Sequence, residues 1–446
     1  MGSEMCIRDR LWFRGKAMPT DASALLGDSP GASPVRRATV VSCVINLAST
    51  CMGTGVLALP AAYERAGFTA GTVLCIASAL FTVLSLNLLM AAGGKLVDRG
   101  GLSFYSLCEA ALPRSGRAVD IAVLINCIGT ATSFLVVAAD CFSKLGIFSR
   151  QVCVLLSSAL VITPCFFRTM DMLKITSTVA VSSLLCISAL ILAFGFGLAP
   201  WLDPCPEHSS VLHGHCGNVV NYGSSDFRDV LCTLPLFINA YTCQQNVFNV
   251  LGELNRPTSL RKGAVMVFAP LLPMCLYLVV ATAGYLTFGS AVASNVINSY
   301  PRSPIVAAAR AVLGVVVLCN FPLQIFPARK SFISLLDSFS SSGPIVDMAF
   351  SLSLFLTERR EVIITCVFLV FTCVTASLVT DLGAVVSLIG STGATLIALI
   401  TPGGAYCLLT WREEGKALQR ASAMLLVALG ALLSLIHISE PTRRTP

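Results

Sequence analysis

Residues 52–60 read MGTGVLALP and lie inside an apolar run that begins near Thr39. A soluble helix avoids this combination. Glycine loses the most conformational freedom on becoming helical, and proline lacks a donor and clashes with the turn before it. In a bilayer the objection is sharper, because irregular backbone survives at membrane depth only where protein or a watery cavity surrounds it. Gly53, Thr54 and Gly55 fall about midway along the run, and Pro60 stands one turn before its end. An unwound turn there exposes N–H groups and a half-helix N-terminus suited to a carboxylate. It also frees carbonyls of the preceding half for an ammonium or an alkali cation. Close packing of small residues is the other reading of the glycines.

The rest of the chain favours a membrane setting. Of 446 residues, 55% are hydrophobic and 12% charged, where a soluble domain carries roughly 25% charged residues; the mean hydropathy is +0.81. Apolar runs near the length a bilayer requires, about 20 residues, recur at 39–62, 71–92, 119–141, 152–168, 175–199, 229–250, 264–288, 304–327, 361–380 and 383–410, with a shorter one at 421–436. This pattern describes an all-α polytopic membrane protein embedded in the lipid bilayer. The formal charge of +7 resides in short loops between spans, which argues against a nucleic-acid partner. The 19 cysteines fall mostly in apolar segments, such as Cys43, Cys75, Cys186 and Cys366, with no CxxC pair and no metal-ligand spacing. There they act as small hydrophobes.

Lysine and arginine in short loops set the orientation. With the N-terminus cytoplasmic, the inner loops hold Arg36, Arg37, Lys95, Arg99, Arg114, Arg117, Arg256, Arg261, Lys262, Arg329, Lys330, Arg359, Arg360, Arg412 and Lys416, among others. The outer ones hold Arg65, Lys144, Arg150, Arg228 and Arg302. The expected site is the plasma membrane or a vacuolar or lysosomal membrane. Residues 1–38 read as a disordered cytoplasmic tail, rich in Ser, Pro, Ala and Gly. Their first ten, MGSEMCIRDR, and the final stretch LSLIHISEPTRRTP resemble translated sequencing-adapter read-through. Residues 435–446 are therefore set aside, which leaves a last helix at 421–434 too short to span.

The outer stretch 200–228 carries Cys205, Cys216 and three of the chain's four histidines, His208, His213 and His215. A disulfide between the cysteines suits an oxidising exterior and contributes about 3 kcal/mol in the chain-entropy model. A zinc site built from the same cysteines and histidines is the rival.

A second interruption decides how the opening motif reads. The sixth span, DVLCTLPLFINAYTCQQNVFNVLGEL (229–254), carries Pro235 and then Asn239, Tyr241, Thr242, Cys243, Gln244, Gln245, Asn246 and Asn249. So dense a polar run is costly in lipid unless it faces a cavity. Five spans separate the two interruptions, so the second set of spans starts in the opposite orientation. That gives repeat one at 39–199 and repeat two at 229–410, with breaks at matching places.

At these residues the sequence resembles the amino acid/auxin permease family, in the style of its protist, trypanosomatid-like members. MGTGVLALP, YTCQQNVFNVLGEL, GYLTFG (284–289) and FPLQIFPAR (321–329) carry the resemblance in order across 39–434. The resemblance implies a LeuT-like fold of about eleven spans with five-plus-five inverted repeats. It also implies an amino-acid substrate whose carboxylate meets Gly53, Thr54 and Gly55, and whose amino group and side chain meet Tyr241, Thr242 and Asn246. Members that couple to sodium use an Asn four residues before the glycine pair. Here Ser49 holds that position and Asn46 lies one turn earlier, so both are ion-coupling candidates and the driving ion, proton or sodium, is open. The family's histidine in the sixth-span motif is Gln244 here.

Arg310, about two turns into the eighth span, is expected to pair with Asp140 or Asp381, with substrate contact as the alternative. Asp381 precedes a glycine-rich tenth span and suits an outer gate. The loop after Pro327, with serines at 338–342, suits a solvated linker. The expected activity is secondary transport of an amino acid by a monomer, with no cofactor beyond a coupling ion. An amino-acid-sensing transceptor is the alternative. An intramembrane enzyme is disfavoured, because no GxSxG or Glu-x-x-His cluster occurs within the apolar runs.

Overall fold

The computed structural model describes residues 38–53, 55–96, 103–166, 174–196, 216–220, 227–301, 303–340, 346–379 and 382–439. The first span is two helices, α1 (Val40–Cys51) and α2 (Gly55–Ala66), which meet at 52°. Thr39 starts α1 by accepting a hydrogen bond from the Ser42 amide at 3.1 Å, which satisfies one of the donors a helix start leaves open. α3 (Phe68–Gly93) returns, and a short helix α4 (Phe104–Ala111) lies at the turn. A reciprocal Ser103–Ser106 cap opens α4, which lies between the spans expected at 71–92 and 119–141. Then follow α5 (Ser115–Ser143), α6 (Arg150–Cys165) and α7 (Lys174–Gly195).

The second repeat opens as the first does, with a broken span: α8 (Phe227–Ala240) and α9 (Gln244–Gly252). α10 (Ser259–Phe288), α11 (Pro304–Ser340) and α12 (Val346–Leu378) follow. The tenth span is continuous but widened by π turns: α13 (Leu382–Ile389), π segments Gly390–Ala394 and Leu396–Ile400, and α14 (Thr401–Thr410). α15 (Ala417–Ser439) closes the chain. Among the described residues eight spans are individually long and apolar enough to cross a bilayer, nine with the bent α1–α2 pair. The short α6 and the broken α8–α9 pair fill the two remaining places. The fold is LeuT-like and all-helical among the described residues, as the two matching interruptions imply.

Three segments differ from expectation. α11 continues through Pro327 to Ser340 where a loop was expected, because SFISLLDSF keeps a helical apolar face. Its Phe332 packs edge-on to Phe368 of α12 at 5.5 Å between ring centres. α12 likewise starts at Val346, ahead of the expected 361. The last helix starts at Ala417, so residues 417–435 are long and apolar enough to cross, against the expectation of a span cut too short. Arg420 makes that early start possible by donating to the carbonyls of Thr410 at 3.3 Å and Trp411 at 2.7 Å.

The most extensive helix pair is α5 with α11, and it forms a rigid wall beside the broken spans. At one end of the wall Arg150 is the clamp. It pairs with Asp140 at 3.0 Å and donates to the Val379 carbonyl at 2.8 Å, so one guanidinium joins α5, α6 and the end of α12. Asp140 is thus held by Arg150 and not by Arg310, contrary to expectation: Arg150 opens α6 ten residues along the chain and reaches Asp140 directly. Arg150→Ala is expected to lower unfolding stability by about 1–3 kcal/mol, since the Val379 carbonyl and a half-buried carboxylate both lose their donor. Thermal unfolding in detergent against wild type measures this.

Candidate substrate site

Where α1 ends, Cys51 and Met52 have carbonyls that no helical N–H can reach, and where α8 ends, Ala240 has another. The protein supplies the missing donors from unbroken neighbours. The Tyr277 hydroxyl of α10 lies 2.7 Å from the Cys51 carbonyl and 2.9 Å from the Ala240 carbonyl, sharing one proton between the two breaks. Asn320 of α11 donates to the Met52 carbonyl at 2.7 Å and accepts from the Ser49 hydroxyl at 2.8 Å. The Cys51 thiol donates to the Tyr241 carbonyl at 3.4 Å. Tyr277 and Asn320 thereby tie both interruptions to the straight helices. Neither was expected from sequence; each is a polar residue in a largely apolar helix, and that was the signal available.

Gly55 shows why the first motif needs glycine. A Cβ there would come within 2.8 Å of the Ala240 Cβ and 2.9 Å of its Cα, so the start of α2 lies directly on the end of α8. A Cβ on Gly53 would meet the Phe134 ring of α5 at 2.6 Å. Close packing therefore accounts for both glycines, and both also line a cavity. Its walls are Thr50, Cys51, Gly53 and Gly55 of the first span, Asn126 and Thr130 of α5, Asn239, Ala240, Thr242 and Gln245 of the sixth, and Gln324 of α11. It holds about 20 Å³, above the roughly 10–15 Å³ a single water needs.

Every side chain on that wall is uncharged. Asn126, Gln245 and Asn246 are all buried, and their amide oxygens have no partner. A primary amide presents either acceptor or donor by turning over, so this wall can meet either end of a small zwitterion. Asn246 points its Nδ2 at the Leu323 carbonyl (3.1 Å) and the Thr50 hydroxyl (3.3 Å), so it joins α9 to α1 and α11 beside the cavity. Thr242 lines the cavity and donates to the Ile238 carbonyl at 2.8 Å. Tyr241 is turned away from the lining. Its hydroxyl meets the Cys75 thiol at 3.1 Å, and its ring stacks edge-on to Tyr277 with centres 5.0 Å apart. Gln244, where the family has histidine, bonds the Ser85 hydroxyl at 3.3 Å behind the site.

The remaining expected residues sort as follows. Thr54, Asp381 and Cys205 lie outside the described residues. Ser49 is committed to Asn320, while the buried Asn46 keeps an unpartnered amide oxygen. Arg310 is buried and donates to the Ile297 and Tyr300 carbonyls at 3.2 and 2.9 Å, so it braces the turn before α11. Cys216 is disulfide-bonded, which removes one thiolate from the zinc alternative. Among the described residues no group of His, Cys, Asp and Glu is arranged for a metal.

The profile described as "Transmembrane amino acid transporter protein" matches residues 36–440. The chain belongs to that family. It is 28% identical over 392 residues to vacuolar amino acid transporter 5 of Schizosaccharomyces pombe, covering 85% of this chain and 87% of the relative. It is 28% identical over 407 residues to vacuolar amino acid transporter 6 of Saccharomyces cerevisiae, covering 82% and 89%. Human sodium-coupled neutral amino acid transporter 7 is 24% identical over 424 residues, covering 91% and 86%. Among solved structures, a Na+-coupled sialic acid symporter superposes with a TM-score of 0.58 at 13% identity, over 93% of this chain and 95% of that one. A manganese transporter of Eremococcus coleocola gives 0.51 at 16% identity, over 94% and 88%. Both structural likenesses bear on the fold. The chain is an integral membrane protein of a transporter family.

The double cap is open to direct test. Tyr277→Phe removes the shared hydroxyl donor, taking it from the Ala240 carbonyl and leaving the Cys51 carbonyl with the Gly53 amide at 2.8 Å, so a loss of about 1–3 kcal/mol in unfolding stability is expected. Comparing thermal unfolding of Tyr277→Phe and Tyr285→Phe in detergent separates this from the loss of any tyrosine hydroxyl.

Proposed function

We propose that the chain is a secondary transporter that moves amino acids by alternating access, with the substrate held between the breaks of the first and sixth spans. One observation carries the reading: two interrupted helices face each other across an uncharged, amide-lined cavity, and their loose ends are tied to unbroken neighbours. The start of α2 offers helix N-terminal N–H groups for a carboxylate, and the unpartnered amide oxygens of Asn126 and Gln245 suit an ammonium. The uncharged wall supports substrates with neutral side chains. A cavity of this size fits a closed conformation whose walls part to admit a substrate.

The yeast relatives are named for the vacuole, which supports a vacuole-type membrane, with the N-terminus on the cytoplasmic side by the distribution of basic residues. We take the proton as the coupling ion. The Ser49 hydroxyl and the Met52 carbonyl, two oxygens a cation would use, are already engaged by Asn320. The transceptor alternative draws support from none of the described residues.

Uptake of radiolabelled neutral amino acids into proteoliposomes is expected under an imposed pH gradient, and unchanged when sodium is replaced by choline. Movement of no amino acid under either gradient would defeat the transport reading. Gly55→Leu, which drives a side chain into Ala240, is expected to abolish uptake; wild-type rates would show that the closeness of α2 and α8 is dispensable.

A further inference from the structure

Asp120 lies five residues into α5, inside a span, and only 3% of it is exposed. One of its carboxylate oxygens, Oδ2, has no hydrogen-bond partner. The groups beside the carboxylate are the hydroxyls of Ser331 and Ser334 on α11 and the Cys108 thiol on α4. The charged residues at this end of the bundle have other engagements. Arg117, one turn earlier on α5, donates to the Ser338 carbonyl at 3.1 Å. Arg329 of α11 donates to the Cys165 carbonyl of α6 and the Thr365 hydroxyl of α12, both at 3.3 Å. Lys330 donates to the Asn249 amide oxygen at 3.0 Å and covers the Phe326 ring. Arg360 of α12 pairs with Asp337 at 2.8 Å. Glu361 lies on the same turn of α12. Glu109 of α4 accepts from the backbone amides of Arg114 and Gly116. Among the described residues no lysine or arginine forms an ion pair with Asp120.

An acid inside a span is expensive and marks a functional position by default. Its charge is neutralised either by a cation or by a proton, and no cation is in place here. We infer that Asp120 carries the coupled proton, which its carboxylate takes from water on one side of the membrane and returns to water on the other with no other bond changed. This rests on the proton-coupled reading of the transporter. The geometry supplies the link to the substrate site. Ser331 and Ser334 belong to α11, the helix whose Asn320, Leu323 and Gln324 hold the breaks of α1 and the start of α9. A change of charge at Asp120 alters its hold on α11, and α11 holds the end of α1 and the start of α9.

The test uses the full chain in proteoliposomes, with labelled amino-acid exchange at equal pH read beside pH-gradient-driven uptake and substrate-driven proton movement reported by a trapped pH-sensitive dye. Asp120→Asn is expected to retain exchange while losing both gradient-driven uptake and proton movement. Gradient-driven uptake at wild-type level in Asp120→Asn would overturn the assignment, as would a wild type that exchanges amino acids but shows no proton movement. Should Asp120→Asn lose exchange as well, the double variant Ser331→Ala/Ser334→Ala decides. A moved midpoint in the pH profile of uptake supports Asp120, and an unmoved midpoint refutes it. A wild type that exchanges no amino acid would count against the transport reading, and is thereby distinguished from a failure of this one.

Discussion

A single hydroxyl proton, that of Tyr277, serves two backbone carbonyls at the two breaks, those of Cys51 and Ala240. Breaking a helix inside a bilayer strands polar groups where no water is at hand, and this protein does so twice. The two breaks are affordable together because they meet. Cys51 and Ala240 end their helices close enough for one side chain to reach both. Gly55 permits that approach, Asn320 secures Met52 on the other flank, and the α5–α11 wall gives those clamps something fixed to stand on. Straight helices in this fold are therefore more than scaffolding; they complete the hydrogen bonding of the bent ones.

The sequence made the breaks visible and the clamps invisible. A glycine pair in an apolar run and a cluster of amides five spans later are departures from the composition of a membrane helix, and departures are readable. Tyr277, Asn320 and Asp120 are scattered polar residues within long, largely apolar helices, and their meaning lies in what faces them from other elements of the fold. Arg310 and Asp140 illustrate the same limit. Both charges lie toward the same end of the bundle, yet Asp140 is met by Arg150, ten residues on, and Arg310 spends its donors on the carbonyls of the turn before its own helix. Element ends were misjudged where a stretch such as SFISLLDSF has serines enough for a loop but retains a helical apolar face.

The candidate site inherits this division. Gly53, Gly55, Thr242 and the neighbourhood of Asn246 were legible because they lie on the interrupted spans. Asn126, Thr130 and Gln324 come from intact helices and enter the wall only once α5 and α11 are in place. Tyr241, which looked like a substrate contact, instead fills the space behind the site between Cys75 and Tyr277. A polar residue beside a break has two possible duties, to face the cavity or to hold the break together, and spacing along the chain does not separate them.

The bridge between Ala38 and Leu254 extends this division of labour to the end of the molecule. The Ala38 amide donates to the Glu253 carbonyl at 3.1 Å, and the Asn255 amide donates to the Ala38 carbonyl at 2.9 Å, so a residue just ahead of α1 is stitched to the end of α9. Two such bonds contribute about 1–3 kcal/mol between them, a modest bias in an equilibrium where 1.4 kcal/mol is about a factor of ten. That bridge is thus a seam that thermal motion can unpick, and it joins the far ends of the same two spans whose breaks Tyr277 holds together.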